Sequence, residues 1–511
     1  MTSKRRYVRG LLAAIAAGSL VLSLGAAPGH ALSPVPPKLK LIAADSEITL
    51  YRYGKYPIPL SAGVFMESLG GPWELRVHRD DYLSPIELDW WIEGGADIRT
   101  LDPALLDGWR GLKDFFHIRV KNVASGIVKM NADTMFCPSS YDRSRVNDNG
   151  PAVPAYPSYG CYGMPLTLGT VWGVDDGWAV SAIDPYGYYY YGGAPFLDVA
   201  DGTFTAKFQV NPDYEGAFEM TEADSTVTVT IHVVTDPHCT WPCYGRDGAL
   251  IVSDEDATAR DDGRAVLTGV PETTDPDPAT EPDLISLPAW SIYADHRKKG
   301  DFLQFAANIW NRGPGGLVVE GFRRPDEDVM DAFQYFYSGD TAVAKANVGS
   351  FEFDARPGHN HWHFQQFAAY TLLDASMSPV VPSTKEAFCL APTDPIDLTV
   401  EGAQWSPYEI GLGTQCGYSG SIWVREYLDT GWGDTYYQSI AGQSFDITDL
   451  PNGRYYIQVE ANPTGLLYEG DTSNNVSVRE VRLKGKEGHR WVVVPPWNGI
   501  DTEGCYYYYY C

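Results

Sequence analysis

The chain has 511 residues, with 66 acidic against 38 basic side chains and a formal net charge of −28. That field attracts cations and repels nucleic acid and anionic membranes, so amines and lysine-rich proteins fit as partners, beside the plainer reading of an acidic surface kept for solubility. The length exceeds what one hydrophobic core usually serves, and two or three domains are expected.

The chain opens with the basic stretch MTSKRRYVRG, the apolar run LLAAIAAGSLVLSLGAA, and PGHALS, where small residues precede a cut expected after Ala31. This reads as a secretory signal over 1–31; the rival reading, a membrane anchor, wants a slightly longer run. The mature protein is therefore expected outside the cell, free or held at its surface, with no membrane span left. From about 40 to 252, strand-like alternation recurs in FFHIRVKN, FTAKFQV and STVTVTIHVV, which suggests one or two β-sandwich modules. Their histidines, His78, His117, His232 and His238, are scattered and read as surface or core groups, while the tyrosine patch YGYYYYGG suggests a binding or docking role. Residues 253–282 are acidic, rich in Thr and Pro and nearly free of aromatics, and read as a linker. Alternation returns over 283–483 in DFLQFAANIW, RYYIQVEA and VSVREVRL, and 484–511 form a tail ending in GCYYYYYC. The fold class is mostly β.

Eight cysteines, an even number, in an exported chain point to disulfides. Proximity pairs Cys239 with Cys243, Cys505 with Cys511 and Cys137 with Cys161, leaving Cys389 with Cys416.

In DARPGHNHWHFQQF, Asp354 to Phe367, three of the ten histidines fall at His359, His361 and His363. A helix would present only the first and third on one face; a strand presents all three, with outer Cα atoms about 13 Å apart at roughly 3.3 Å per residue. Three imidazoles suit copper or zinc, and affinity order favours Cu(II). A structural zinc site would want a fourth protein ligand, and no nearby residue supplies one, so an open catalytic ion fits better. The bland alternative is a strand whose solvent face happens to carry histidine. Trp362 and Phe364, facing the other way, fit a buried strand in either case.

With these residues assembled, HNHWHFQQFAAYTLLDA resembles the copper-binding segment of lysyl oxidases. The similarity continues in order through KEAFCL, GDTYYQSIAGQSFDITDLPNGRYYIQVEANP and LLYEGDTSNNV, and upstream through PDLI and FLQFAANIWNRG, covering about residues 282–483. The resemblance implies a C-terminal lysyl-oxidase-like β-sandwich with long loops. It also implies a copper amine oxidase in which Lys385 and Tyr436 are cross-linked into lysine tyrosylquinone. Unmodified side chains are poor two-electron acceptors, and no glycine-rich dinucleotide fingerprint is evident, so a built-in quinone answers the chemical need. Its carbonyl takes a substrate amine, a base removes the α-proton, and an aldehyde, ammonia and hydrogen peroxide leave. The substrate would be a primary amine or peptidyl lysine, together with O₂. Tyr437, next to Tyr436, is the alternative alignment.

Departures from the family's pattern are specific. A histidine that some members carry falls here on Ala369, leaving Asp434 as the candidate base beside its plainer reading as a turn residue. Trp432 and Gly442 stand where two cysteines would be expected, which suggests a more loosely braced quinone loop. In EGDTSNN, Glu469, Asp471, Asn474 and Asn475 offer only oxygen donors, suited to a hard cation such as Ca²⁺. Similar family loops bind calcium with residues that match Asp283 and the Leu284 carbonyl, tying first and last strands together. A second function class, a copper-binding or cell-surface binding protein without turnover, follows from the missing histidine and cysteines and from the large tyrosine-rich N-terminal region.

Overall fold

In the computed structural model the described residues are 34–503 except 53, 147–149, 152, 162, 184–194, 236–269, 325–326, 328, 340, 355–360, 366, 383–386, 406–415, 418–420, 422 and 438–442. The chain is mostly β, as its alternation requires. All six sequence stretches singled out above lie in strands, save Ser225 at the head of STVTVTIHVV, which ends the short helix Glu222–Ser225. FTAKFQV, for instance, closes the strand Gly202–Val210, whose side chains at 204, 206, 208 and 210 are buried while Lys207 is exposed. That is the period-2 pattern of a sheet with one face on a core.

In the N-terminal region a five-stranded sheet runs in the order Glu47–Arg52, Thr226–Thr235, Gly202–Val210, Leu112–Asn122 and Val128–Phe136. Two four-stranded sheets and a two-stranded ribbon complete it. Most of their inward side chains, from Leu39 to Val233, join one core that includes Trp73, Trp90, Phe115 and Phe116. The disulfide Cys137–Cys161 forms as expected and pins the loop that follows the strand Val128–Phe136.

The C-terminal region packs three antiparallel sheets around a second core. One holds Leu284–Ser286, Gly300–Asn311, Trp432–Tyr436 and Asp394–Pro395 in that order. The second runs Ala387–Phe388, His361–Gln365, Thr341–Asp354, Val329–Ser338, Leu317–Arg323 and Trp423–Leu428. The third runs Pro379–Pro382, Ala368–Leu373, Gly453–Ala461, Val476–Lys486 and His489–Val493.

Two boundary segments are more tightly held than their composition suggests. Within the stretch read as a linker, 270–282 is pinned to the C-terminal sheets. The Lys345 N–H donates to the Pro271 carbonyl at 2.9 Å, and the Thr273 N–H donates to the Lys345 carbonyl at 2.8 Å. Backbone pairing of this kind leaves no mark in composition. The segment read as a tail supplies the edge strand His489–Val493, and the Ile292 N–H donates to the Glu503 carboxylate at 2.5 Å. Cys239, Cys243, Cys505 and Cys511 lie outside the described residues.

Candidate active site

The histidine strand His361–Gln365 pairs with Thr341–Asp354 on one side and Ala387–Phe388 on the other. Strand alternation puts His361 and His363 on one face and Trp362 and Phe364 on the other. Trp362 and Phe364 are fully buried, as expected; His363 is buried too at 3% exposure, while His361 is partly exposed. The two histidine Nε2 atoms lie 2.8 Å apart. That is a hydrogen-bond distance between the rings, and it is also close to the roughly 2.9 Å expected of two nitrogens bound at about 2.0–2.1 Å to one ion at a right angle. His359 lies outside the described residues.

The tyrosine strand Trp432–Tyr436 belongs to the neighbouring sheet, paired with Gly300–Asn311 and, through Trp432 and Gly433, with Asp394–Pro395. Trp432, Asp434 and Tyr436 share a face, being two residues apart. The Tyr436 phenol donates to the Cys389 carbonyl and accepts from the Cys389 N–H, both at 2.7 Å. The edge of Phe388 meets its ring at 4.9 Å. Tyr437 instead hydrogen-bonds to Asp394, on the opposite side of the strand. Of the two aligned tyrosines, Tyr436 is the one held beside the segment that continues from Lys385. Lys385 itself lies outside the described residues.

A covalent and hydrogen-bonded frame joins the two strands. Cys389, which holds the phenol, is disulfide-bonded to Cys416, as expected. The Cys416 carbonyl accepts from the N–H of Trp362, the residue between the two described histidines, at 2.8 Å. The residues flanking the histidine pair and the tyrosine are thus linked through one bridge.

The electrostatics around Tyr436 are those of a dry acidic pocket. Burial first, then Asp434, Glu426 and Tyr370, push its phenol pKa well up, so it rests as the neutral phenol. Glu426, 1% exposed, accepts the Leu390 N–H at 2.8 Å, and burial, reinforced by Asp434, drives its pKa well above the ordinary carboxylate value. A Glu426 oxygen and both sulfurs of the Cys389–Cys416 bridge lie within 4.8 Å of one another. Because the bridge consumes both thiols, this is a carboxyl closed against a disulfide, not a thiolate metal site. Asp434, 3% exposed, stands on the tyrosine's own face.

Tyr370 and Glu426 did not stand out in the sequence. Tyr370 is buried at 3% exposure, edge-on to Phe388 and Phe305. Its neighbour Ala369 points the other way by strand alternation. The signal available for Glu426 was faint: an acid inside the alternating apolar run of WVREYL, which burial turns into a neutral group.

The expected cation loop assembles in part. The Glu469 carboxylate accepts from Asn462, Asn475 and the Leu284 N–H at 2.6, 2.7 and 3.2 Å, and Asp283 accepts from Asn474 at 2.8 Å. The Oδ1 atoms of Asn474 and Asn475 are buried acceptors without a hydrogen-bond donor. Two acids and two orphaned amide oxygens on neighbouring, hydrogen-bonded residues are donors of the kind a hard cation takes. Asp471 stays outside it, exposed and turned to the Ser473 N–H.

A family model described as lysyl oxidase matches residues 336–493, the stretch that carries both strands. Residues 336–493 form a lysyl oxidase domain. Protein-lysine 6-oxidase of Sus scrofa is 33% identical over 133 residues, 26% of this chain and 47% of that protein. Protein-lysine 6-oxidase of Gallus gallus is 32% identical over 133 residues, 26% of this chain and 28% of that protein. Lysyl oxidase homolog 2 of Gallus gallus is 31% identical over 147 residues, 29% of this chain and 17% of that protein. The chain spans less than half the length of these relatives, and the likeness leaves the N-terminal sheets unaccounted for. Among the described residues no helix is long and apolar enough to cross a membrane.

Proposed function

We propose that the protein is a secreted, copper-dependent oxidase of primary amines or peptidyl lysine. The observation that carries this reading is the bridge joining the His361–His363 pair to the hydroxyl of Tyr436 through Cys416 and Cys389. His359, His361 and His363 would hold Cu(II). Copper and O₂, with the lysine tyrosylquinone made from Lys385 and Tyr436, would supply the two-electron acceptor that the side chains lack.

The chain's own residues do the rest. The Cys389 peptide fixes the ring, and Phe388 and Tyr370 wall it from water. Asp434 is the group on the tyrosine's face suited to take the substrate's α-proton. Glu426, kept neutral by burial, is suited to give a proton back. The overall change is an amine, water and O₂ going to aldehyde, ammonia and hydrogen peroxide. Asp283, the Leu284 carbonyl, Glu469, Asn474 and Asn475 would hold a Ca²⁺ ion that ties the first strand of the domain to its last loop; Asp471 has the right chemistry but the wrong direction.

The test is peroxide release from simple amines by the copper-loaded protein, with Lys385→Ala beside it. Turnover that disappears in Lys385→Ala supports the oxidase. Bound copper without turnover in the unaltered protein supports a non-catalytic binding protein instead.

A further inference from the structure

The N-terminal region does not hang free of the lysyl oxidase domain. The described loop residues 153–161 and 163–168 are preset by their own side: Cys161 is disulfide-bonded to Cys137, Arg143 donates to the Tyr156 and Pro157 carbonyls at 3.1 and 2.6 Å, and the Tyr156 hydroxyl donates to Glu74 at 2.8 Å. From this frame two rings project into the C-terminal core. Tyr156 stacks on Trp405 at 5.3 Å, and Tyr159 meets Trp432 edge-on at 5.3 Å. Trp432 is the first residue of the tyrosine strand and shares a face with Asp434 and Tyr436; its indole N–H donates to the Gln404 carbonyl at 2.5 Å.

A backbone ladder runs beside the rings. The Leu168 N–H donates to the Ile396 carbonyl at 2.7 Å and the Leu398 N–H to the Gly169 carbonyl at 3.0 Å. The N–H groups of Ile396 and Asp397 then donate to the Gly431 carbonyl at 2.9 and 3.0 Å, one residue before the strand starts. Glycine is required at two points of this contact. A Cβ on Gly169 would meet Asp397 and Thr399, and one on Gly173 would enter the Tyr156 ring. A third cluster crosses the same boundary, with Met164 and Leu166 packed among Trp290, Trp310 and Ile396.

We propose that the N-terminal region is a positioning unit for the tyrosine strand, with Tyr159 on Trp432 and the Gly169 ladder fixing the strand end four residues from Tyr436. The consequence for cofactor formation rests on the oxidase reading above; the mechanical claim does not. Losing an edge-to-face pair worth about 1.4 kcal/mol eases local opening by about one power of ten in amide exchange.

Hydrogen exchange on the full chain, with Tyr159→Ala and Gly169→Val, tests this. The peptide covering 432–436 is expected to exchange about tenfold faster in both variants, with 453–461 unchanged and Tyr159→Phe like the parent. In the copper-loaded protein the yield of phenylhydrazine-reactive quinone should fall in Tyr159→Ala and not in Tyr159→Phe. Unchanged exchange over 432–436, or equal acceleration over 453–461, overturns the proposal. If exchange responds as expected while the parent forms no quinone, the positioning role stands and the oxidase reading fails.

Discussion

The hydroxyl of Tyr436 is bound by both polar atoms of the Cys389 main chain, donating to its carbonyl and accepting from its N–H at 2.7 Å each. A phenol held twice by one residue has little rotational freedom, and Cys389 is itself fixed by the bridge to Cys416. The tyrosine is therefore placed by a disulfide that also reaches, through the Cys416 carbonyl, the backbone between His361 and His363.

Removing that bridge should loosen both halves of the site. For a sequence separation of 27, Cys389→Ser with Cys416→Ser should cost about 3–4 kcal/mol of stability by loop-closure entropy. Denaturant unfolding measures the loss, and retained copper with a lowered quinone yield would show that the tyrosine side depends on the bridge more than the metal side does.

If His361 and His363 hold copper as proposed, His363→Ala and His361→Ala should each raise the copper dissociation constant by at least about 100-fold, since losing a ligand exceeds the effect of losing its supporting shell. Copper titration under a competing chelator reads this. Equal affinity in His361→Ala would mean that the 2.8 Å contact between the two rings is not a shared ligand geometry.

Glu426 gives a pH signature with a definite sign. Burial, above all, holds its carboxyl well above the ordinary glutamate range in the folded chain. Above pH 4.5 the unfolded chain releases this proton while the folded chain keeps it, so stability declines as pH rises until the folded pKa is passed. Each unit of displacement costs about 1.4 kcal/mol. Glu426→Gln should flatten that decline and raise the melting temperature at neutral pH; an unchanged profile would place the ionised form in the fold.

On the same strand as Glu426, Arg425 pairs with Glu320 at 2.6 Å, both fully buried, and Trp423 donates to the other Glu320 oxygen at 2.9 Å. Arg425→Met leaves Glu320 buried without its cation and should cost about 3–5 kcal/mol, whereas replacing both with apolar residues should cost far less. A double-mutant cycle in urea distinguishes the two.

If Glu469, Asp283 and the orphaned oxygens of Asn474 and Asn475 hold Ca²⁺, the ion should stabilise the fold by about 2.7 kcal/mol at a hundredfold excess over its dissociation constant. Adding EGTA should lower the melting temperature of the unaltered protein and leave Glu469→Gln unmoved.

Much of this was legible locally. Period-2 alternation marked the strands, and chain proximity paired Cys137 with Cys161 and left Cys389 with Cys416. What the sequence hid was tertiary. Glu426 reads as an ordinary acid until burial neutralises it, and Tyr370 becomes a wall of the site only when its sheet folds over Phe388. Trp432, standing where a cysteine would be expected, is held by Gln404 and Tyr159, partners 28 and 273 residues away, while Gly442 lies outside the described residues. Composition separated 253–282 as a linker because it cannot register that Pro271 and Thr273 pair with Lys345 along a sheet edge. Asp471 has the donor chemistry of a calcium ligand, but its own turn points it at Ser473.

The most direct measurement is a peptide mass map of the full chain after exposure to copper and oxygen, read beside the phenylhydrazine-reactive absorbance. A covalent Lys385–Tyr436 peptide, absent in Lys385→Ala and in His363→Ala, is the predicted result. Intact, unlinked Lys385 and Tyr436 peptides in fully copper-loaded protein would contradict the account.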